Sequence, residues 1–278
     1  MARRTRMTHR LTERWLREEL IRLRSAKGWN IDRVVAETGL HKRTIERVER
    51  GPDMVSARSL DALISAYNPD AVTVYRLREM RGLAERVGWW DDWHDVHMIP
   101  AYAEHCELEQ TAKGIDLYST AFFNGLLQSP AYAAHAQNHS PQVHLRDGPV
   151  ADRFIALRLE RQRRCWAVRR VVRVLIDESM LTDKGWPQGP LAEQLDYVHA
   201  LEERGLLTAR VIPRQLKLAI PDTFIVFTAG GGKKAVCFGG FIEHHAEDDW
   251  SLARAREFFE LAWRRAVPLF DNGRCKWI

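Results

Sequence analysis

Residues 31–51, IDRVVAETGLHKRTIERVERG, constrain the fold more tightly than any other stretch of the chain. Two short helical segments meet there at a tight turn, Thr38-Gly39-Leu40, where glycine permits the positive φ that such a turn demands. Val34, Val35, Leu40, Ile45 and Val48 fall on the inner side of the two segments and would seat the second helix across the first. The outer side of the second helix carries Lys42, Arg43, Glu46 and Arg47. A short cationic helix held proud of its domain has the shape and charge that the major groove of DNA admits.

The flanking sequence supplies a domain to carry this pair. Leu16, Leu20 and Leu23 recur at helical spacing within residues 11–27, and Gly28 stops that helix. Asn30 is a good N-cap for the next one. The helix over residues 41–50 ends at Gly51-Pro52. Ser56 caps a fourth helix with the stripe Leu60, Leu63, Ile64 and Tyr67. Asn68-Pro69-Asp70 breaks the chain before a fifth helix bearing Val74, Leu77 and Met80. The net charge of +5 is concentrated in this part: residues 1–87 hold 19 Lys and Arg against 12 Asp and Glu, whereas the remainder holds 23 against 25. A positive field confined to one domain suits phosphate binding, where counterion release contributes much of the affinity.

The contact chemistry follows from the donors available. Arginine and lysine donate to guanine O6 and N7, which makes Lys42, Arg43 and Arg47, with Thr44 beside them, the expected base readers. The helix start after Asn30 offers amides to a phosphate, and His41, Arg50 and Arg58 are placed to hold flanking backbone. Arg3, Arg4 and Arg6 form a basic arm over residues 1–10, which either tracks the DNA or is a disordered charged tail.

Residues 11–67 resemble the Xre/Cro-type helix-turn-helix family of phage and bacterial repressors, most closely in GLHKRTIERVERG. The resemblance implies that the helix over residues 41–50 is the recognition helix, with Lys42, Arg43 and Arg47 at base-reading positions. The family's usual small alanine in the first helix of the motif is replaced by Val35. Its extra methyls would widen the angle between the helices or be absorbed beside Ala36 and Gly39.

Composition changes sharply after Arg86. The stretch GWWDDWHDV gathers three tryptophans, expected to pack the domains together or to open the core of a second one. His94 and His97 beside aspartates are a conceivable metal site, but no sustained helix aims both imidazoles, so no metal is expected. Helices are expected near residues 100–110, 121–137, 150–164, 191–204 and 251–267, with strands at 115–118, 171–176, 207–212, 223–228 and 235–241. Gly230-Gly231-Gly232 reads as a hairpin, since the residues that follow do not match a phosphate loop. Glu243, His244, His245 and the acidic residues after them read as a loop that caps the last helix. The run RLERQRRCWAVRR reads as a solvated helix face, with a second nucleic-acid surface as the alternative.

Several function classes lose ground on the same residues. Cys106, Cys165, Cys237 and Cys275 lie far apart and form no CxxC pair, which makes them small apolar filler in a reducing cytoplasm. No apolar run approaches the ~20 residues of a membrane span, and no signal peptide follows the basic start. No nucleophile–base or carboxylate pair stands out, so neither an enzyme nor a cofactor is expected.

GWWDDWHDV, FFNGLLQSPAYAAH, RFIALRLERQRR and VLIDESML resemble successive blocks of the large C-terminal domain attached to helix-turn-helix regulators of actinobacteria, the WhiJ-like and antitoxin-like group. Family members usually carry proline where Asn124 stands, and the terminus Cys275-Lys276-Trp277-Ile278 departs from the pattern. The resemblance implies regulation, with a small partner protein encoded nearby as one route. The expected chain is thus α+β and mostly helical. A basic arm (1–10) precedes a five-helix DNA-binding domain (11–87) and a regulatory, dimerisation or partner-binding α+β domain with a small sheet (88–278). The expected function is a cytoplasmic, nucleoid-associated repressor that binds double-stranded DNA as a homodimer on an inverted repeat. The alternatives are an antitoxin-like protein that sequesters a small partner, and a regulator that senses a small molecule.

Overall fold

Side-chain caps set the helix boundaries in the N-terminal part. In the computed structural model, which describes residues 10–51, 54–96, 100–138, 148–182, 188–216, 222–229, 233–239, 244–275 and 277, helix α1 spans Arg10–Ala26. Gly28 follows it at φ 65°. The Asn30 carboxamide accepts from the Arg33 amide at 2.8 Å and opens α2, Ile31–Thr38. Gly39 closes α2 in the left-handed region at φ 66°, where its N–H meets the Val35 carbonyl. His41 caps α3, Lys42–Arg50, through Nδ1. Ser56 caps α4, Ala57–Tyr67, and Asp70 caps α5, Ala71–Ala84. Each such cap is worth about 1 kcal/mol, enough to decide where marginal helices begin.

Leu16, Leu20, Val34, Ile45, Val48, Leu60, Leu63, Tyr67 and Leu77 form one core shared by all five helices. Val35 packs at its edge, partly buried. The chain then enters a 3-10 helix, Trp89–Val96. Gly88 has to be glycine there, because a Cβ would lie 2.0 Å from the Trp90 indole, which is fully buried. The chain divides into two compact units at His94/Asp95, so Trp89 and Trp90 belong to the first unit rather than opening the second.

The second unit is built on one mixed sheet. Helix α6, Pro100–Thr111, leads to β1, Gly114–Ser119. Helices α7, Pro130–Asn138, and α8, Gly148–Trp166, connect β1 to β2, Val171–Asp177. The short α9, Ser179–Thr182, and α10, Gln188–Glu203, lead to β3, Thr208–Ile212. Strands β1, β2 and β3 are parallel, as helical crossovers require. Strands β4, Phe224–Thr228, and β5, Lys234–Phe238, are an antiparallel pair, and β4 runs against β1. Strand β6, His244–Ala246, adds an edge. Helix α11, Asp249–Arg265, crosses to the other edge, where β7, Val267–Pro268, meets β3. The order is β6-β5-β4-β1-β2-β3-β7, with a separate ribbon of β8, Phe270–Asp271, and β9, Arg274–Cys275.

Helix α11 covers one face of this sheet through Phe259, Ala255 and Ala262, against Tyr118, Leu175, Ile212, Phe224 and Val226. Arg173 of β2 fixes it in place: its guanidinium grips Asp116 of β1 at 2.7 Å twice and Glu260 of α11 at 2.7 Å. The fold is α+β and mostly helical, as the sequence leads one to expect.

Four local expectations are corrected. Residues 121–128 form turns rather than the start of a helix. The Asn124 side chain takes the Leu126 amide and its carbonyl takes the Leu127 amide, a local bonding pattern that competes with helix. Helix α7 starts only at Pro130, after Ser129, whose hydroxyl accepts from the Tyr132 amide at 3.1 Å. Residues 244–246 form an edge strand, not a loop, because β5 offers them a free ladder. The last helix stops at Arg265, and Val267 leaves to pair with β3. The inward side of the basic run in α8 is the fourth correction and is described below. Gly230–Gly232 and His97 lie outside the described residues.

Candidate nucleic-acid interface

Helix α3 is held by contacts that leave its outer face uncovered. Ile45 and Val48 are buried in the core, while Lys42, Arg43, Glu46, Arg47 and Arg50 are exposed and Thr44 is partly buried. Arg43, Arg47 and Arg50 follow one another at i, i+4 and i+7 and therefore share a face. The Lys42 ammonium reaches Asp32 of α2 at 2.8 Å, with both groups exposed. That contact places the start of α3 beside the start of α2. Arg58 stands apart in the first turn of α4. Arg3, Arg4 and Arg6 lie outside the described residues. The acceptor atoms of Asn30 and His41 are already engaged as caps, so the Arg33 and Arg43 amides are not free to meet a phosphate.

Two arginines of α1, which the sequence offers as ordinary surface charges, set the attitude of α3. The Arg17 guanidinium donates to the carbonyls of Arg47 and Val48 at 2.7 and 2.6 Å. It thereby satisfies the Val48 carbonyl that the helix end leaves open and adds a second donor to the Arg47 carbonyl, which also takes the Gly51 amide, with a positive charge where the helix dipole is negative. Arg24 grips Glu49 at 2.6 and 3.0 Å and also donates to the Trp29 carbonyl at 2.8 Å. The hydrogen bonds it donates to Glu49 raise the Arg24 pKa. Burial, with Glu49 nearby, pushes the Tyr67 phenol up to about 12.

One side of the basic run of α8 behaves in the opposite way. Arg161 is 5% exposed and Gln162 3% exposed, so the run turns polar groups inward as well as presenting a solvated face, on which Arg163 and Arg169 are exposed. Arg161 Nε stands 3.0 Å from Glu109 Oε2, an ion pair not aligned as a hydrogen bond, and its Nη1 donates to the Tyr102 hydroxyl at 2.7 Å. His105 Nε2 lies 3.1 Å from the other Glu109 oxygen, and Arg170 donates to the Glu109 carbonyl. Burial alone would raise the Glu109 carboxyl, but Arg161, His105 and Arg170 outweigh it and hold the group below the usual range. Beside this cluster the turn at residues 123–129 is bonded by glutamine side chains. Gln162 donates to the carbonyls of Gly125 and Gln128, Gln128 to that of Phe123, and Gln194 to that of Leu127. Buried backbone outside regular structure needs such partners. Nothing in the spacing of these residues signals the arrangement.

A family model described as a domain of unknown function, DUF5753, matches residues 102–269. The chain belongs to that family. The match takes in the buried cluster, the whole of the parallel strands and α11, so these are features of the DUF5753 part of the chain. No curated protein matches the sequence. Among the described residues no group of three or more His, Cys, Asp and Glu stands together as metal ligands, and no helix is long and apolar enough to cross a membrane.

Proposed function

We propose that the protein is a sequence-specific DNA-binding transcriptional regulator of the Xre/Cro type, most simply a repressor that acts on the nucleoid. In this reading α3 enters the major groove, a dimer places two copies on an inverted repeat about one helical turn apart, and the DUF5753 domain receives a signal or partner. The observation that carries the reading is the outer face of α3: Arg43, Arg47 and Arg50 stand exposed on a helix whose other face is fixed to α1 and to the core. Arginine at such positions pairs with guanine O6 and N7, each good pair being worth about 1–3 kcal/mol of discrimination.

Selection of bound DNA from a random pool tests this directly. A short palindrome is the expected result. The Arg43→Ala/Arg47→Ala protein should lose preference for that sequence by at least about tenfold while keeping most of its salt-dependent, non-specific affinity. Undiminished sequence preference in the double variant would remove α3 from the role of reader.

A further inference from the structure

We propose that the DUF5753 domain binds a small, flat, apolar molecule bearing a carboxylate or phosphate group, in the recess between α8 and α10. The recess has a volume of about 320 Å³, at the lower end of the range for small-molecule sites. Leu159, Trp166 and Ala167, from α8 and the residue after it, line it together with Tyr197 of α10, so its wall is chiefly ring and methyl surface. Gln162 lies at its foot and is 3% exposed. That carboxamide is fully engaged: it donates to the carbonyls of Gly125 and Gln128, and its oxygen accepts from the Tyr197 hydroxyl at 3.3 Å. The two helices are thus tied together below the recess, which keeps its shape without an occupant.

Charge decides the class of occupant. No residue that lines the recess is acidic, whereas Arg163 and Arg204 both line it and are exposed at its mouth. Arg163 is already paired with Glu160 at 2.7 Å. Arg204, just past the end of α10, has no ion-pair partner among the described residues. Burial pushes the Tyr197 phenol up, while the Trp166 N–H and Arg204 act against that rise, so both stand near its hydroxyl. The Trp166 N–H is itself buried and aligned on no acceptor, which is uncommon for a buried donor. A ring laid against Trp166 and Tyr197 would carry its anionic group toward Arg204, whose planar fork of N–H donors suits carboxylate and phosphate oxygens. The site lies in the second unit and does not depend on whether α3 reads DNA.

Thermal unfolding of the full chain tests the proposal with naphthoate and with naphthyl phosphate, against neutral naphthamide at matched ionic strength. The expected result is a saturable rise in Tm with at least one of the anions, about 3–5 °C at ten times the dissociation constant. Comparison of the two anions identifies whether carboxylate or phosphate oxygens are preferred. Naphthamide should bind at least about fivefold more weakly, since it lacks the charge that Arg204 meets. Arg204→Gln should remove that preference for the anion. As a second variant Ala167→Phe, which fills the recess from an exposed position, should abolish the response with Arg204 in place. The rise should persist in Arg43→Ala/Arg47→Ala, which separates it from anions bound at α3. No saturable rise with either anion, equal binding of naphthamide, an undiminished preference in Arg204→Gln, an equal rise in Ala167→Phe, or loss of the rise in Arg43→Ala/Arg47→Ala would each overturn the proposal.

Discussion

Helices α3 and α8 are both rich in arginine, yet they use part of it in opposite ways. In α3 the arginines at 43, 47 and 50 face water, and the helix is positioned by guanidinia that come from α1. In α8 Arg161 turns inward and its charge is met by Glu109 of α6. The difference lies in the neighbours, not in the run itself. Isoleucine and valine at α3 positions 45 and 48 reach the core first and roll the cations outward, whereas the inward side of α8 meets a buried carboxylate and a turn whose carbonyls need donors.

The largest test of this contrast removes the counter-charge of α8. Glu109→Ala should cost about 3–5 kcal/mol, because it strands a buried guanidinium. Urea unfolding followed in the second unit measures it. The pH dependence has a definite sign: the depressed Glu109 pKa contributes stability that is complete above the ordinary carboxylate range and is lost as pH falls through the folded value. The gap in stability between the parent protein and Glu109→Gln should therefore narrow in acid. A gap that widened below pH 4 would contradict the pairing.

A smaller effect is expected where the pair lies between helices of the first unit. Glu49→Gln weakens the grip of Arg24 on α3 and should cost about 1–2 kcal/mol, read as faster hydrogen exchange in α1 and α3. The smallest concerns Lys42, whose partner Asp32 is exposed. Asp32→Asn should change stability by less than about 0.5 kcal/mol. On the proposed function it should nevertheless tighten DNA binding, most visibly at low salt, because it frees a cation beside the groove. Unchanged affinity would place Lys42 away from the DNA.

What the sequence made legible was local. Asn30, Ser56 and Asp70 announce helix starts because each needs only its own side chain and an amide three residues on. Gly39 announces the turn because no other residue sits as easily at its positive φ. The Ser129-Pro130 start of α7 was equally readable, as a cap and a first-turn proline, yet the apolar residues before it suggested a longer helix. Arg17, Arg24 and Glu49 were not readable: the partners through which they join α1 to α3 lie 25 or more residues away, and an arginine among glutamates looks the same whether it faces water or a neighbouring carbonyl. The same holds for Arg158, Arg161 and Gln162, whose partners come from α6 and from the turn after β1. Edge strand β6 has no pattern of its own and exists because β5 leaves a ladder open.

The clamp from Arg17 has one more consequence. It holds α3 by main-chain oxygens at positions 47 and 48, which every amino acid provides, while the side chain at 47 points the other way. Substitution of the outward residues therefore leaves the attachment intact. On the proposed function, a scaffold of this kind can change the sequence it recognises by mutation at 43 and 47 without first being rebuilt, so descendants of one gene could acquire separate targets while sharing the same mount.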